Sequence, residues 1–213
     1  MSDRLLGIDE AGRGCVLGDL WLAGVVADEN QQNILTQIGC DDSKSFGSGW
    51  PAFKKRLNLA QKITDLCEVH LEASSPAIID KYVSCQKLNA LEREMALKII
   101  KRTNFNFDKA ILDGKNIFAS LANIFPHITA ESKADQSNVV VAAASIVAKA
   151  NRDKALLAYF DSLPLDLSKF RSMGWGYINK NTLHFVRQHY LQLGRLPDNL
   201  RLSYRWNALA DLR

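Results

Sequence analysis

The chain has 213 residues, of which 47% are hydrophobic and 23% are charged, and a formal net charge of +4. This composition is ordinary for a globular protein with a sizeable core, in one large domain or two small ones. The mild basicity fits a polyanionic partner but favours a nucleic-acid role only slightly. No signal peptide and no apolar run near about 18 residues is present, so we expect no membrane partner and a cytoplasmic location.

Apolar runs and helical periodicity predict alternating strands and helices in the first part of the chain. Strands are predicted at 4–8, 19–27 and 67–73, and helices at 29–39 (in part), 52–66, from Pro76 onward, and 88–101. A short glycine-rich turn joins the first two strands, so we expect them to pair antiparallel.

The second part of the chain predicts two further strands and two further helices. The strands are expected at 109–113 and 127–130, a long helix at 139–160 and a last helix at 182–193, with an irregular segment at 163–177. This order favours one α/β domain with a mixed sheet at 1–162 and a small helical portion at 163–213.

The cysteines and histidines do not show the spacing of a zinc site. We therefore expect the four cysteines, Cys15, Cys40, Cys67 and Cys85, to be reduced and mostly buried thiols. No serine–histidine or cysteine–histidine nucleophile pattern is evident either.

Carboxylates stand at the ends of several predicted elements. Asp9 and Glu10 follow the first strand, Asp113 ends a later strand and Asp135 precedes the long helix. Helix capping would explain Asp135 alone, and an Asp-Gly turn would explain Asp113 alone. The adjacent pair is harder to dismiss, because like charges repel and burial raises their cost unless a cation lies nearby.

If these four acids converge, they form an oxygen-only site suited to Mg²⁺ or Mn²⁺. Two such ions, roughly 3.5–4 Å apart, can activate a water and stabilise the leaving oxygen in phosphodiester hydrolysis. The residues 12–14, Gly-Arg-Gly, would let a backbone approach a ligand and would add a fixed positive charge. The working hypothesis is a metal-dependent site that acts on a phosphate polymer.

Several motifs, in order, resemble those of the ribonuclease HII family, the type 2 ribonucleases H. GIDEAGRG at 7–14 resembles the opening signature, and the block from Asp135 through AAASIVAKANRD resembles the family's D…AASIxAKxxRD. Weaker similarities are the DSK loop at 42–44 and the strand ending in DG at 111–114. Segments 174–177 (GWGY) and 194–197 (GRLP) resemble those of archaeal-type and eukaryotic-type members.

This resemblance implies a ribonuclease-H-like fold, an α/β architecture with a mixed five-stranded sheet flanked by helices. It implies that Asp9, Glu10, Asp113 and Asp135 are catalytic acids that bind Mg²⁺ or Mn²⁺, with two ions when substrate is present. The implied activity is endonucleolytic hydrolysis of the RNA strand of RNA–DNA hybrids. It includes nicking 5′ of a single ribonucleotide in duplex DNA, as in ribonucleotide excision repair, and leaves 3′-hydroxyl and 5′-phosphate ends.

The resemblance also assigns Gly12, Arg13, Gly14 and Tyr177 to a module that senses the 2′-hydroxyl at the RNA-to-DNA junction. This hydroxyl is the group that distinguishes RNA from DNA, and an aromatic ring can stack on the neighbouring sugar. Trp175 is a rival to Tyr177 for the stacking role, and a core position is the alternative for Tyr177.

Three basic residues, Lys44, Lys149 and Arg152, are candidate phosphate contacts. Lys149 and Arg152 stand three residues apart on one predicted helix and can share a face. The neighbouring pair Arg152-Asp153 could equally be structural.

The chain departs from the family pattern at a few positions. Family members usually have proline where Cys15 stands and commonly another where Asp19 stands. Asp19 could perturb metal affinity or face solvent. The segment after Tyr177 is about one residue shorter than the archaeal-type form, and no clear sliding-clamp motif is evident. The compact length favours a monomer.

Two other functions would also use clustered acids. A metal-dependent phosphatase acting on small esters would not need the Gly-Arg-Gly turn or a basic C-terminal portion. A hybrid-binding protein without catalysis would gain nothing from concentrated negative charge beside a phosphate backbone.

Overall fold

A mixed five-stranded sheet forms the centre of the protein, as seen in a computed structural model that describes residues 3–40, 49–165 and 176–212. The strands are β1 (Leu5–Ala11), β2 (Leu20–Ala27), β3 (Glu68–Ser74), β4 (Lys109–Asp113) and β5 (Ile128–Glu131), in the order β3-β2-β1-β4-β5. β2 pairs antiparallel with β1 and β3, whereas β4 pairs parallel with β1 and β5. The predicted α/β architecture and the antiparallel first pair are confirmed.

Helices cover both faces of the sheet in the described residues. They are α1 (Glu29–Gln37), α2 (Gly49–Leu66), α3 (Pro76–Ser84), α4 (Leu88–Arg102), α5 (Lys115–Ile124), α6 (Val139–Ser162) and α7 (Lys180–Leu193), with short 3₁₀ helices at Ala134–Gln136 and Asn207–Leu212. Apolar residues of α3, α4 and α5 pack on one face, and those of α1, α2 and α6 on the other. No described helix combines the length and the apolar character that a membrane span requires.

Helix α6 lies unusually close to the sheet because β1 carries a glycine at the point of contact. A Cβ atom on Gly7 would come within 2.6 Å of the carbonyl carbon of Val140 and of the backbone nitrogen of Val141. Only a residue without a side chain fits against another backbone at this distance. This contact explains why the first half of α6 is buried nearly all round, as its Ala- and Val-rich sequence predicts.

A third apolar cluster joins the C-terminal portion to the rest of the protein. It combines residues from the segment after β1, from α2 and from the end of α6 with residues of the C-terminal portion, among them Val16, Leu17, Phe53, Leu156, Phe160, Phe185, Val186 and Leu200. The predicted division after residue 162 coincides with the end of α6, while hydrophobic packing crosses it.

Two elements differ from the sequence prediction. β1 continues to Ala11, so Asp9 and Glu10 lie within the strand and not after it, because the ladder with β2 extends to the pair Ala11–Trp21. Helix α5 was not predicted from the sequence, which indicated only a turn out of β4. Gly114 does make that turn, with φ +111°, but the helix begins directly at the next residue.

We expect Gly7→Ala to destabilise the protein by about 3 kcal/mol, because the added methyl group meets backbone atoms of α6 that cannot rotate away. Urea unfolding monitored by circular dichroism measures this loss.

Gly39→Ala is the matched control for this prediction. Gly39, unlike Gly7, has a positive φ, +84°, but a Cβ there would meet nothing within 4 Å, so we expect only the backbone strain of about 1 kcal/mol. A loss in Gly7→Ala no larger than that in the control would contradict the proposed role of the close contact.

Candidate active site

Asp9 extends from β1 towards α6, on the same side of the strand as Gly7. Successive strand residues point to opposite faces, so the neighbouring Glu10 side chain leaves the other face of the sheet. The Asp9 side chain is 5% exposed and hydrogen-bonds to Ser145 of α6. Its Oδ1 also accepts a hydrogen bond of 2.7 Å from the backbone N–H of Glu10. The alternation explains how two adjacent acids are accommodated at this position.

Parallel pairing brings Asp113 to the same end of the sheet as Asp9. Leu112 of β4 is in register with Ile8 of β1, so the residue that follows each of them stands at neighbouring positions. The two carboxyl groups are close enough to interact electrostatically. The sequence prediction that these two acids converge is therefore consistent with the sheet topology.

Asp135 is connected to this group through the backbone. Its neighbour Ala134 donates a backbone hydrogen bond of 3.0 Å to Oδ1 of Asp113, at the start of the 3₁₀ helix Ala134–Gln136. The N-cap of α6 is Asn138, whose side chain accepts from the backbone N–H groups of Val140 and Val141. Capping of the long helix, the simpler explanation for an acid at position 135, therefore does not apply.

The acids leave a local excess of negative charge. Burial raises the pKa of the Asp9 carboxyl well above its ordinary value, and the nearby charges of Glu10 and Asp113 raise it further. The hydrogen bond from Ser145 and the positive charge of Lys149 act in the opposite direction. Lys149 donates to Oγ of Ser145 at 2.8 Å, so lysine, serine and aspartate form one chain of contacts. A cation placed among these acids would be stabilised.

The donor chemistry fits a hard divalent cation, since the candidate ligands are carboxylate oxygens. In residues 3–40, 49–165 and 176–212, however, no three Asp, Glu, His or Cys side chains are grouped closely enough to hold a metal ion. The acids are thus neighbours on adjacent elements, and their side chains are not drawn together as a ligand shell.

The Gly-Arg-Gly turn follows β1 directly and has little space on its inner side. Gly12 has φ +96°, and a Cβ there would lie 2.8 Å from the carbonyl oxygen of Asp19 and 3.0 Å from Cδ of Arg152. The backbone N–H of Cys15 closes the turn by donating to the Gly12 carbonyl at 3.1 Å. A proline at this position could not make that hydrogen bond. Gly14 is exposed at the outer side of the turn.

Tyr177 lies beside the turn and presents its ring to solvent. Its ring carbon Cε1 is 4.0 Å from the position of a Cβ on Gly14, and the residue is 45% exposed. The preceding Gly176 accepts backbone hydrogen bonds from Val16 and Leu17, which fixes this segment to the turn. The exposure disagrees with the alternative of a core aromatic. Trp175 lies outside the described residues.

Arg152 holds Tyr177 in place. Its Nη1 donates to the tyrosine hydroxyl at 3.0 Å and lies 3.8 Å from Sγ of Cys15, and its guanidinium lies over the tyrosine ring. It is also paired with Asp153, which Arg56 contacts from α2. Arg152 is 7% exposed, so its guanidinium interacts with neighbouring groups of the protein and does not face solvent. Lys149 points instead towards the acids.

The side chain of Arg13 turns away from the acids and binds α4. It forms an ion pair with the buried Glu92 and donates a hydrogen bond of 2.6 Å to Oδ1 of Asn89. Sequence reasoning missed both partners. The sequence feature that could have identified Glu92 as buried is its position beside Leu91 and Met95, within the apolar stripe of a predicted helix.

A basic groove begins at Arg13. Its volume is about 770 Å³, and its lining includes Lys87, Asn89, Arg93, Ile178 and Arg205. It lies between the start of α4 and the segment 203–205, next to the residue that follows Tyr177. Lys44, the remaining candidate phosphate contact, lies in a loop outside the described residues.

Comparisons with protein families, curated relatives and solved structures all point to the same family. The family model described as Ribonuclease HII matches residues 6–206. A ribonuclease HII of Archaeoglobus fulgidus is 31% identical over 213 residues, which cover 97% of this chain and 95% of the relative. The crystal structure of ribonuclease H2 from Pyrococcus horikoshii OT3 superposes with a TM-score of 0.77 at 28% identity, covering 98% of this chain and 96% of that chain.

A more distant structure shares the fold. Bst-RNase HIII in complex with Mn²⁺ has a TM-score of 0.76 at 17% identity, covering 95% of this chain and 67% of that chain. The family match spans nearly the whole chain, including the acids and the Gly-Arg-Gly turn. This chain therefore belongs to the ribonuclease HII family, the type 2 ribonucleases H, which are endonucleases that act on nucleic acid.

Proposed function

We propose that this protein hydrolyses the RNA strand of RNA–DNA hybrids and nicks duplex DNA on the 5′ side of a single embedded ribonucleotide. The products would be 3′-hydroxyl and 5′-phosphate ends. One observation carries the proposal: α6 supports both halves of the candidate site. Ser145 and Lys149 approach Asp9, and Arg152 approaches Gly12 and Tyr177. The groups that cleave the substrate and the groups that recognise it would then stay at a fixed distance from each other.

Divalent cations, Mg²⁺ or Mn²⁺, would be held by Asp9, Glu10, Asp113 and Asp135, with two ions when substrate is present. When bound, such ions supply charge stabilisation and an activated water for phosphodiester hydrolysis. The raised pKa of Asp9 supports this assignment, because burial and the charges of Glu10 and Asp113 disfavour the ionised carboxyl, and a bound cation would offset both effects. The Mn²⁺ complex of Bst-RNase HIII, which has the same fold, agrees with the choice of ion.

Lys149 and Ser145 would keep the Asp9 carboxylate in place. The hydrogen bond from Ser145 fixes the direction of the carboxylate, and Lys149 partly offsets the repulsion from the other acids. Asp113 would be oriented in the same way by the backbone N–H of Ala134. These contacts hold the acids at the end of the sheet without closing the space between them.

Recognition would take place between the turn and Tyr177. The exposed Gly14 allows close approach of a sugar-phosphate backbone, and the half-exposed Tyr177 ring offers a surface for the adjacent sugar. The 2′-hydroxyl is the chemical difference that such a contact can test. The basic groove from Arg13 past Lys87 and Arg93 would attract the rest of the strand. Lys44 would add a phosphate contact.

We further propose that the protein acts as a monomer in the cytoplasm, in ribonucleotide excision repair. The cysteine usage supports the location, because the four cysteines do not form the pattern of a disulfide framework. Gel filtration with light scattering would test the monomer.

The proposed activity predicts metal-dependent nicking of a duplex DNA that contains a single ribonucleotide. We expect cleavage on the 5′ side of the ribonucleotide with Mg²⁺ or Mn²⁺ and no cleavage with chelator, read on a denaturing gel. Binding without cleavage in the presence of metal would instead favour a hybrid-binding protein. Turnover of a small phosphomonoester, with the duplex intact, would favour a phosphatase.

Asp113→Asn should reduce nicking by at least about a hundredfold, because it removes a charge needed beside Asp9 while keeping the size of the side chain. Initial rates at saturating metal measure the effect. Asp65→Asn, an exposed acid of α2, is the matched control and should keep the original rate. Full activity of Asp113→Asn would overturn the assignment of the acids.

Arg13→Ala should weaken discrimination between the single-ribonucleotide duplex and an all-RNA hybrid more than it weakens metal dependence. It also leaves the buried Glu92 without its partner, which destabilises the protein. The double variant Arg13→Ala with Glu92→Gln should regain stability in urea unfolding but not discrimination. If the double variant discriminates like the unaltered protein, the Arg13 side chain has only a structural role.

A further inference from the structure

Two residues of the C-terminal portion hydrogen-bond to the backbone of the Gly-Arg-Gly turn. The hydroxyl of Tyr204 donates to the carbonyl oxygen of Arg13 at 2.7 Å. Arg201 donates to the same carbonyl at 3.2 Å through Nη1 and to the carbonyl of Gly18 at 2.9 Å through Nε. Arg201 is fully buried, and its guanidinium also lies against the Tyr204 ring. The turn is therefore fastened at its central peptide, and the segment that leads from it to β2 is fastened at Gly18.

The bond at the Arg13 carbonyl also determines where the next N–H points. A trans peptide is planar, so the carbonyl oxygen of Arg13 and the N–H of Gly14 point in opposite directions. With the oxygen directed at Tyr204, the N–H is directed at the exposed side of the turn, where Tyr177 lies. Within the described part of the chain, this N–H donates to no acceptor.

Asp19 balances the charge of the buried arginine. Burial raises the pKa of the Asp19 carboxyl, and the positive charge of Arg201 acts against that rise. The acid at this unusual position therefore lies close enough to Arg201 to interact with its charge. Asp80 of α3 holds the segment directly after Arg201 in place by accepting hydrogen bonds from the backbone N–H groups of Leu202 and Ser203.

We propose that Tyr204 and Arg201 are positioning residues that set the orientation of the Arg13–Gly14 peptide for substrate recognition. They hold the Gly14 N–H as a preformed donor for an oxygen of the nucleic acid at the RNA-to-DNA junction. A donor that is already oriented avoids the entropy cost of ordering the turn on binding. This inference rests on the proposed function and adds the residues that make the turn selective.

Tyr204→Phe tests the inference, because it removes only the hydroxyl that contacts Arg13. We expect the ratio of kcat/KM for the single-ribonucleotide duplex to that for an all-RNA hybrid to fall about fivefold, the effect of one neutral hydrogen bond. The amide resonance of Gly14, measured in ¹⁵N-labelled protein, should shift as the peptide loses its anchor. Tyr82→Phe, which removes a hydroxyl bound to Glu94 on the exposed side of α4, is the control and should change neither readout.

The results of these measurements distinguish the proposed function from the proposed positioning role. If the unaltered protein does not nick the duplex but the Gly14 resonance shifts in Tyr204→Phe, the proposed function fails and the positioning role stands. If the protein nicks and Tyr204→Phe changes neither the ratio nor the resonance, the positioning role is wrong. An equal loss on both substrates, with an unchanged Gly14 resonance, would likewise overturn it, since that pattern indicates general destabilisation.

Discussion

The contact between Gly7 and the backbone of α6 is the constraint on which the candidate site depends. It sets the distance between β1 and α6, and α6 in turn presents Ser145, Lys149 and Arg152 along one side of the strand and its turn. A helix held farther away would lose the hydrogen bond to Asp9 and the packing against Gly12 together. The absence of a side chain at Gly7 thus links the position of the acids to that of the Gly-Arg-Gly turn.

The arginines around the turn serve mainly to build it. Arg13 pairs with Glu92, Arg152 pairs with Asp153, and Arg201 lies near Asp19, so each positive charge has an acid inside the protein. A fixed guanidinium fork suits this role, because it can bind a carboxylate and a backbone carbonyl or hydroxyl at once. Among residues 3–40, 49–165 and 176–212, Lys149 is the cation whose charge acts on Asp9 of β1. The protein therefore neutralises the surroundings of the turn and leaves the acidic group negative.

Local patterns predicted the strands of the sheet and most helices, and they marked the four acids as candidates. Strand alternation and helical periodicity depend on near neighbours in sequence, and the family motifs are contiguous. Glu92, Asn89, Arg201 and Tyr204 were not predicted, because their roles depend on contacts across 76 to 191 residues. For Arg152 the sequence left a phosphate contact and a structural pairing with Asp153 open, and burial together with the contacts to Asp153 and Tyr177 favours the structural role. The start of α5 was not predicted, because Gly114 makes the turn out of β4 and is also the residue directly before the helix.

The long span between the turn and its anchors also orders events during synthesis. The chain emerges from the ribosome in sequence order, and β1 with the Gly-Arg-Gly turn emerges early. The hydroxyl of Tyr204, which fastens the turn, belongs to a residue 191 positions later. The sheet that gathers the acids uses strands only up to Glu131. A nascent chain can thus complete the acidic end of its sheet well before the Gly-Arg-Gly turn acquires its final form.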